Sequence, residues 1–165
     1  MKVGLPSLLG LGGSFLALAS LVLPWWSVSI VAGNYSYMLS CYAWGLKETG
    51  YIPGVPSVVA FFAYPINTVI MLIAVFALIS ALFGFIGSFW KPHFMGEAWP
   101  IAFIIPIVYL GIFYMLYDIV VKQFAPEFQV TTTWTLQAGW FIIIIAGILF
   151  LVAHDMMRKN RVYQS

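Results

Sequence analysis

Charge is what this sequence has least of. Lys and Arg together number seven and Asp and Glu five, a charged share of 7% against about 25% in soluble domains. A water-soluble fold needs a charged, mixed exterior to stay dispersed, so an exterior of this composition is matched to lipid. The net charge of +2 comes from scattered residues that form no phosphate-tracking stripe, which argues against a nucleic-acid partner. Cysteine is scarcer still. The single Cys41 rules out an intrachain disulfide and any C-x-x-C metal or redox motif. With no basic neighbour in sequence to lower its pKa and no second thiol, Cys41 reads as a bystander whose replacement by Ser should leave function intact.

What is present is apolar: 63% of residues are hydrophobic. Charges break the chain into long uncharged stretches, from Lys2 to Lys47, Glu48 to Lys91, Glu97 to Asp118, and Glu127 to Asp155. A helix needs about 20 apolar residues to cross the hydrocarbon core, and each stretch holds one such run. The expected spans are 5–23, 65–89, 99–121 and 134–153. Pro24 with Trp25 and Trp26 ends the first, Pro65 opens the second, Trp90-Lys91-Pro92 ends it, and Pro100 sits in the first turn of the third. The fold class expected is an all-α membrane bundle of four helices, one domain over 1–165. A small sheet built from outer loops at 24–64 and 122–133 stands on it.

Orientation follows from the distribution of basic residues. Lys2, Lys91, Arg158, Lys159 and Arg161 flank one side, Lys47 and Lys122 the other, so both termini and the 91–98 loop are expected in the cytoplasm of a cell-membrane protein. Lys2, the following apolar run and Ala17-Leu18-Ala19 imitate a cleavable secretory signal. The apolar run continues past that site to Trp26, so a retained first helix is expected.

Ser27–Val31 and Tyr35–Tyr42 are β-rich runs around Ala32-Gly33-Asn34, the signature of a hairpin. Phe128–Trp134 is a third such run. Thr49–Ser57 reads as irregular loop. Asn34-Tyr35-Ser36 is an N-x-S sequon on the predicted hairpin tip.

Few residues carry candidate chemistry. Asp118 is the one acid near a helix interior, a position that by default marks an ion path; four residues before Lys122, it reads better as an i, i+4 ion pair. His93 and His154 both fall near the cytoplasmic interface, His93 in a short loop after Pro92 and His154 where the fourth helix leaves the bilayer. Haem ligation would require them on facing elements a macrocycle apart, and solvated interfacial histidines are the simpler reading. Gly10-Leu-Gly-Gly13 has no strand before it and so is no nucleotide loop. Small residues four apart, Gly10 and Ser14, Gly13 and Ala17, and Ser80, Gly84 and Ser88, let membrane helices approach closely, within the bundle or against another subunit. No motif implies a cofactor, a metal or a small-molecule substrate.

The opening Pro24-Trp25-Trp26-Ser27-Val28-Ser29, with Trp44-Gly45-Leu46 following, resembles the start of the first outer loop in the claudin-like four-helix superfamily. The stretch Ile119–Pro126 and Leu136-Gln137-Ala138-Gly139-Trp140 are similar to that family's third-helix exit and fourth-helix start. Lys47 stands where the family has a second tryptophan, and the two cysteines after its Gly-Leu-Trp are missing, so its loop disulfide cannot form here. The resemblance implies a non-enzymatic protein that associates laterally with itself or another membrane protein. A small accessory subunit of a membrane enzyme or respiratory complex, and a transporter or channel, are the alternatives. On the first reading, Trp26 and the Trp44-Gly45-Leu46 turn pack together above the bundle, with Trp44 buried.

Overall fold

The computed structural model describes the backbone of residues 4–51, 53, 65–91, 93–124 and 131–162. It describes their side chains except at 65–69, 113, 116–124 and 160–162. In chain order the described elements are α1 (Leu5–Val22), β1 (Pro24–Ala32), β2 (Tyr35–Tyr42), β3 (Gly45–Gly50), α2 (Pro65–Phe89), α3 (His93–Phe124), β4 (Thr131–Leu136) and α4 (Ala138–Val162). Among the described residues, four helices are long and apolar enough to cross a membrane.

Local chemistry explains the boundaries. Pro6 lies in the first turn of α1, where its missing N–H costs nothing. Pro24 forces Leu23 into extended backbone, φ −101° and ψ 149°, so the helix stops and β1 begins at once. The hairpin turns at Gly33, whose φ of 57° is the left-handed conformation that glycine tolerates.

Three boundaries differ from those expected. The third helix begins at His93, not Trp99, so the connection from α2 is only a few residues and the 91–98 loop is largely helix. It runs for 32 residues and takes in Pro100 and Pro106; a proline costs a helix one hydrogen bond, and neighbouring helices in a bundle can supply a substitute. At the far end, the stretch from Trp134 is strand before it is helix. Its Thr-Thr-Thr-Trp-Thr-Leu run is β-branched and aromatic, and α4 starts only at Ala138. Gly45–Gly50, read as turn and irregular loop, forms a third strand in the connection between α1 and α2.

The sheet is antiparallel throughout, in the order β3-β2-β1-β4. The pairing of β1 with β4 joins the α1–α2 and α3–α4 connections at one end of the bundle. The helices therefore run alternately up and down. Contacts run around a ring, α1 with α4, α4 with α3, α3 with α2 and α2 with α1.

Small residues set the closeness of that ring. A β-carbon on Gly84 of α2 would lie 2.1 Å from Phe150 of α4 and 2.7 Å from the Ser14 hydroxyl of α1, and one on Gly13 would lie 2.7 Å from the same Phe150 ring. Phe150 is fully buried and fills the bundle centre because those two glycines leave room. Gly10 of α1 lies against Ser88 of α2 and Met95 of α3 in the same way. Ala17, Ser14, Ser80 and Ser88 are also buried, so the small-residue sets line contacts within the bundle. Their hydroxyls are satisfied by helix carbonyls: Ser14 donates to Gly10 at 2.9 Å, Ser88 to Gly84 at 2.7 Å, and Ser80 across to Ala98 of α3 at 2.9 Å.

Candidate interaction surface

The sheet meets the bundle through Trp25. A register shift in β1 between Pro24 and Trp26 marks a bulge, and a bulge re-aims the side chains around it. Trp25 and Trp26 are consequently both buried, at 0% and 1% exposure, where strict alternation would have put one of them outside. The Trp25 indole donates to the Ser20 carbonyl at 2.7 Å and lies 4.8 Å from the Tyr109 ring of α3. Its backbone carbonyl accepts from the Gln137 N–H at 2.8 Å. A β-carbon on Gly139 would come within 2.5 Å of the indole, which explains glycine at the start of α4. One tryptophan thus ties α1, α3, α4 and the strand that enters the sheet.

Tyr109 is the second part of this junction. Its hydroxyl donates to the Tyr42 carbonyl at 2.6 Å and lies 2.6 Å from the Cys41 sulfur. Because the phenol has one proton and gives it to the carbonyl, the thiol is the donor in the second contact. Cys41 is fully buried, and burial pushes its thiol up to about 12. The expectation of a lone thiol with no partner within the chain is therefore corrected: the register that puts Cys41 opposite Trp26 points it into the junction.

Trp44 corrects a second expectation. It is 52% exposed, because it lies in the short turn between β2 and β3 whose buried position goes to Ala43. Its ring stacks on Tyr42, centroids 5.0 Å apart. What shares the inner row with Trp26 is Cys41, with Leu46 beyond it and Leu136 on the other side. Leu46 belongs to the sheet's packing and Trp44 does not.

Alternation gives the sheet two unlike faces. The inner one carries Trp26, Val28, Ile30, Leu39 and Tyr37, all buried, with the Tyr37 hydroxyl donating to Glu48. The outer one carries hydroxyls. Its rows read Thr135-Ser27-Ser40-Lys47 and Thr133-Ser29-Met38-Thr49 by register. Ser27 lies 3.0 Å from Thr135, and the Gln137 amide donates to both. Lys47 is the one charge on this face among the described residues, and Met38 and Val31 are its exposed apolar members.

The remaining candidates are dispersed. Asn34 is exposed at the hairpin tip. Asp118 and Lys122 lie in α3, but their side chains fall outside the described residues, so the ion pair expected there does too. His93 is exposed and opens α3 instead of lying in a loop, its ring 4.3 Å from Phe94. His154 lies well inside α4, packed over Gly96 of α3. Beyond it, Lys159 and Asp155 pair at 2.7 Å. Among the described residues, no three His, Cys, Asp or Glu side chains come together in a metal-binding group.

Tyr109, Gln137 and Gly139 were not singled out from the sequence as site residues. For Tyr109 a signal existed, since a phenol inside an apolar span needs a partner, but nothing in the sequence names Cys41 and Tyr42 as that partner. No protein-family profile matches this sequence, and no curated protein matches it either.

Proposed function

We propose that this chain is a non-enzymatic, multi-pass cell-membrane protein with the claudin-like layout and both termini cytoplasmic. In this reading it associates laterally, with copies of itself or with another membrane protein, through its outer sheet and helix faces. The observation that carries the reading is the sheet itself. It is locked to the bundle by Trp25 and Tyr109 and presents an outer face with hydroxyls, two exposed apolar side chains and a single charge. Such a face is held rigidly and carries little charge to desolvate, which favours its use in contact. The asymmetry of basic residues supports the orientation, and the exposed sequon at Asn34 agrees with a sheet outside the cell.

An accessory subunit in a larger membrane complex is the second reading, favoured by two apolar grooves that flank α2. One, of about 410 Å³, lies between α1 and α2 against Phe15, Leu18, Leu82 and Phe85; the other, of about 300 Å³, lies between α2 and α3 against Phe76, Ile101 and Ile104. Either would seat a neighbour's side chains. A channel or transporter has less support, because the buried serines of the described helices are bonded to helix carbonyls and do not form a polar path. Mild-detergent purification with mass spectrometry of co-purifying chains separates the first two. Oligomers of this chain alone support self-association, and a fixed stoichiometry with a cofactor-bearing partner supports the accessory role.

A further inference from the structure

We propose that the base of the outer face, formed by Tyr42, Trp44, Ser40 and Lys47, is a binding site for the headgroup of an anionic phospholipid in the outer leaflet. The inference rests on the reading that the sheet stands outside the bilayer, and it assigns a ligand to the row of that face nearest the bundle, leaving the row of Met38 and Thr133 for lateral contact.

Position comes first. Pro24, the residue after α1 ends, registers with Tyr42, and Tyr42 registers with Gly45. The Tyr42–Trp44 pair therefore sits at the level where the chain leaves the first span, which is where headgroups lie. Chemistry comes second. Trp44 is half exposed although nothing in the packing requires an aromatic ring there, and its stack on Tyr42 presents a flat amphipathic surface of the kind enriched at membrane interfaces.

Charge comes third. Lys47 pairs with Ser40 across the strands, one step along the same face from Tyr42, and cross-strand neighbours lie about 5 Å apart with steps of about 7 Å along a strand. Lys47 is exposed, and the acid that follows it, Glu48, lies on the opposite face and accepts from Tyr37. The lysine therefore has no acidic neighbour on its own face among the described residues. A phosphate placed above Ser40 would meet an ammonium, a hydroxyl and an aromatic edge together. A zwitterionic headgroup would bring the same phosphate with a compensating cation, so an anionic lipid is the better complement.

The test uses the full chain in nanodiscs of phosphatidylcholine with phosphatidylglycerol, reading the lipids retained by native mass spectrometry. One basic residue near an anionic surface contributes about 1 kcal/mol, so Lys47→Gln should lower phosphatidylglycerol retention about fivefold and Lys47→Arg should preserve it. Trp44→Ala should lower it as well, and Trp44→Phe less. The difference between wild type and Lys47→Gln should shrink as salt is raised. Equal retention in wild type and Lys47→Gln would overturn the site, since basic residues at the other end of the bundle would then account for all binding. A nitroxide at position 44 compared with one at position 34 tests the underlying placement separately. The account expects headgroup depth at 44 and water at 34. If 44 is at headgroup depth and Lys47→Gln is silent, only the site fails; if 34 is as deep as 44, the placement of the sheet fails with it.

Discussion

Trp25→Ala should be the most damaging single change in the half of the molecule that carries the sheet. The ring is fully buried, stacked near Tyr109, capped by Gly139 and hydrogen-bonded to the Ser20 carbonyl. Truncating a buried tryptophan costs about 3–5 kcal/mol, depending on how far the cavity collapses. Collapse is limited here because four elements meet around the ring and each is fixed by its own backbone pairing. Trp25→Phe separates the two contributions: it keeps most of the apolar contact and loses the N–H donor, for an expected cost of about 1–2 kcal/mol. Trp44→Ala is the internal comparison, since a half-exposed ring stacked on one neighbour should cost less than about 1 kcal/mol. The assay is reversible unfolding of the purified protein in mixed micelles with increasing dodecyl sulfate, followed by circular dichroism. Equal midpoints for Trp25→Ala and Trp44→Ala would refute the assignment of Trp25 as the tie between sheet and bundle.

Four other outcomes follow from the same geometry. Gly84→Val should destabilise by about 1–3 kcal/mol or more, because its β-carbon would meet Phe150 at 2.1 Å; in the same assay a companion Phe150→Leu change should recover part of the loss. Cys41, buried and with its thiol pushed up to about 12, should resist maleimide at pH 7–8 in membranes and react promptly once unfolded. Its proton is held more tightly in the fold than in the unfolded chain, so its contribution to stability should be complete below about pH 8.5 and fade as pH rises toward 12. Tyr109→Phe should cost about 1–3 kcal/mol in the unfolding assay by leaving the Tyr42 carbonyl without its 2.6 Å donor.

Much of the architecture was legible because membranes impose a simple rule. Uncharged runs long enough to cross must be helices, so all four are legible, and the hairpin shows in the two β-rich runs around Gly33. The errors have local causes. Trp134 looked like an interfacial helix start, but the β-branched run around it pairs with β1 before the helix can begin. Trp99-Pro100 resembles an interfacial helix start, whereas the helix begins at His93 and carries Pro100 within it. The junction was harder to read. The tryptophan pair announced an anchor, yet which member does the tying depends on a bulge, and a bulge leaves no mark in composition. Cys41 and Tyr109 are 68 residues apart, and only the sheet register brings them together.

The claim that the outer sheet is the surface of association is tested most directly by cysteine crosslinking in native membranes. Buried Cys41 can stay in place as an unreactive background. Met38→Cys puts a thiol on the exposed outer face, and Leu82→Cys puts one on the exposed flank of α2. With mild oxidation at low protein-to-lipid ratio, self-association through the sheet predicts disulfide-linked dimers from Met38→Cys, reduced when Thr133→Arg adds a like charge to both facing surfaces. Monomers only from Met38→Cys, with efficient dimers from Leu82→Cys that Thr133→Arg leaves unchanged, would contradict the claim and move association to the helices.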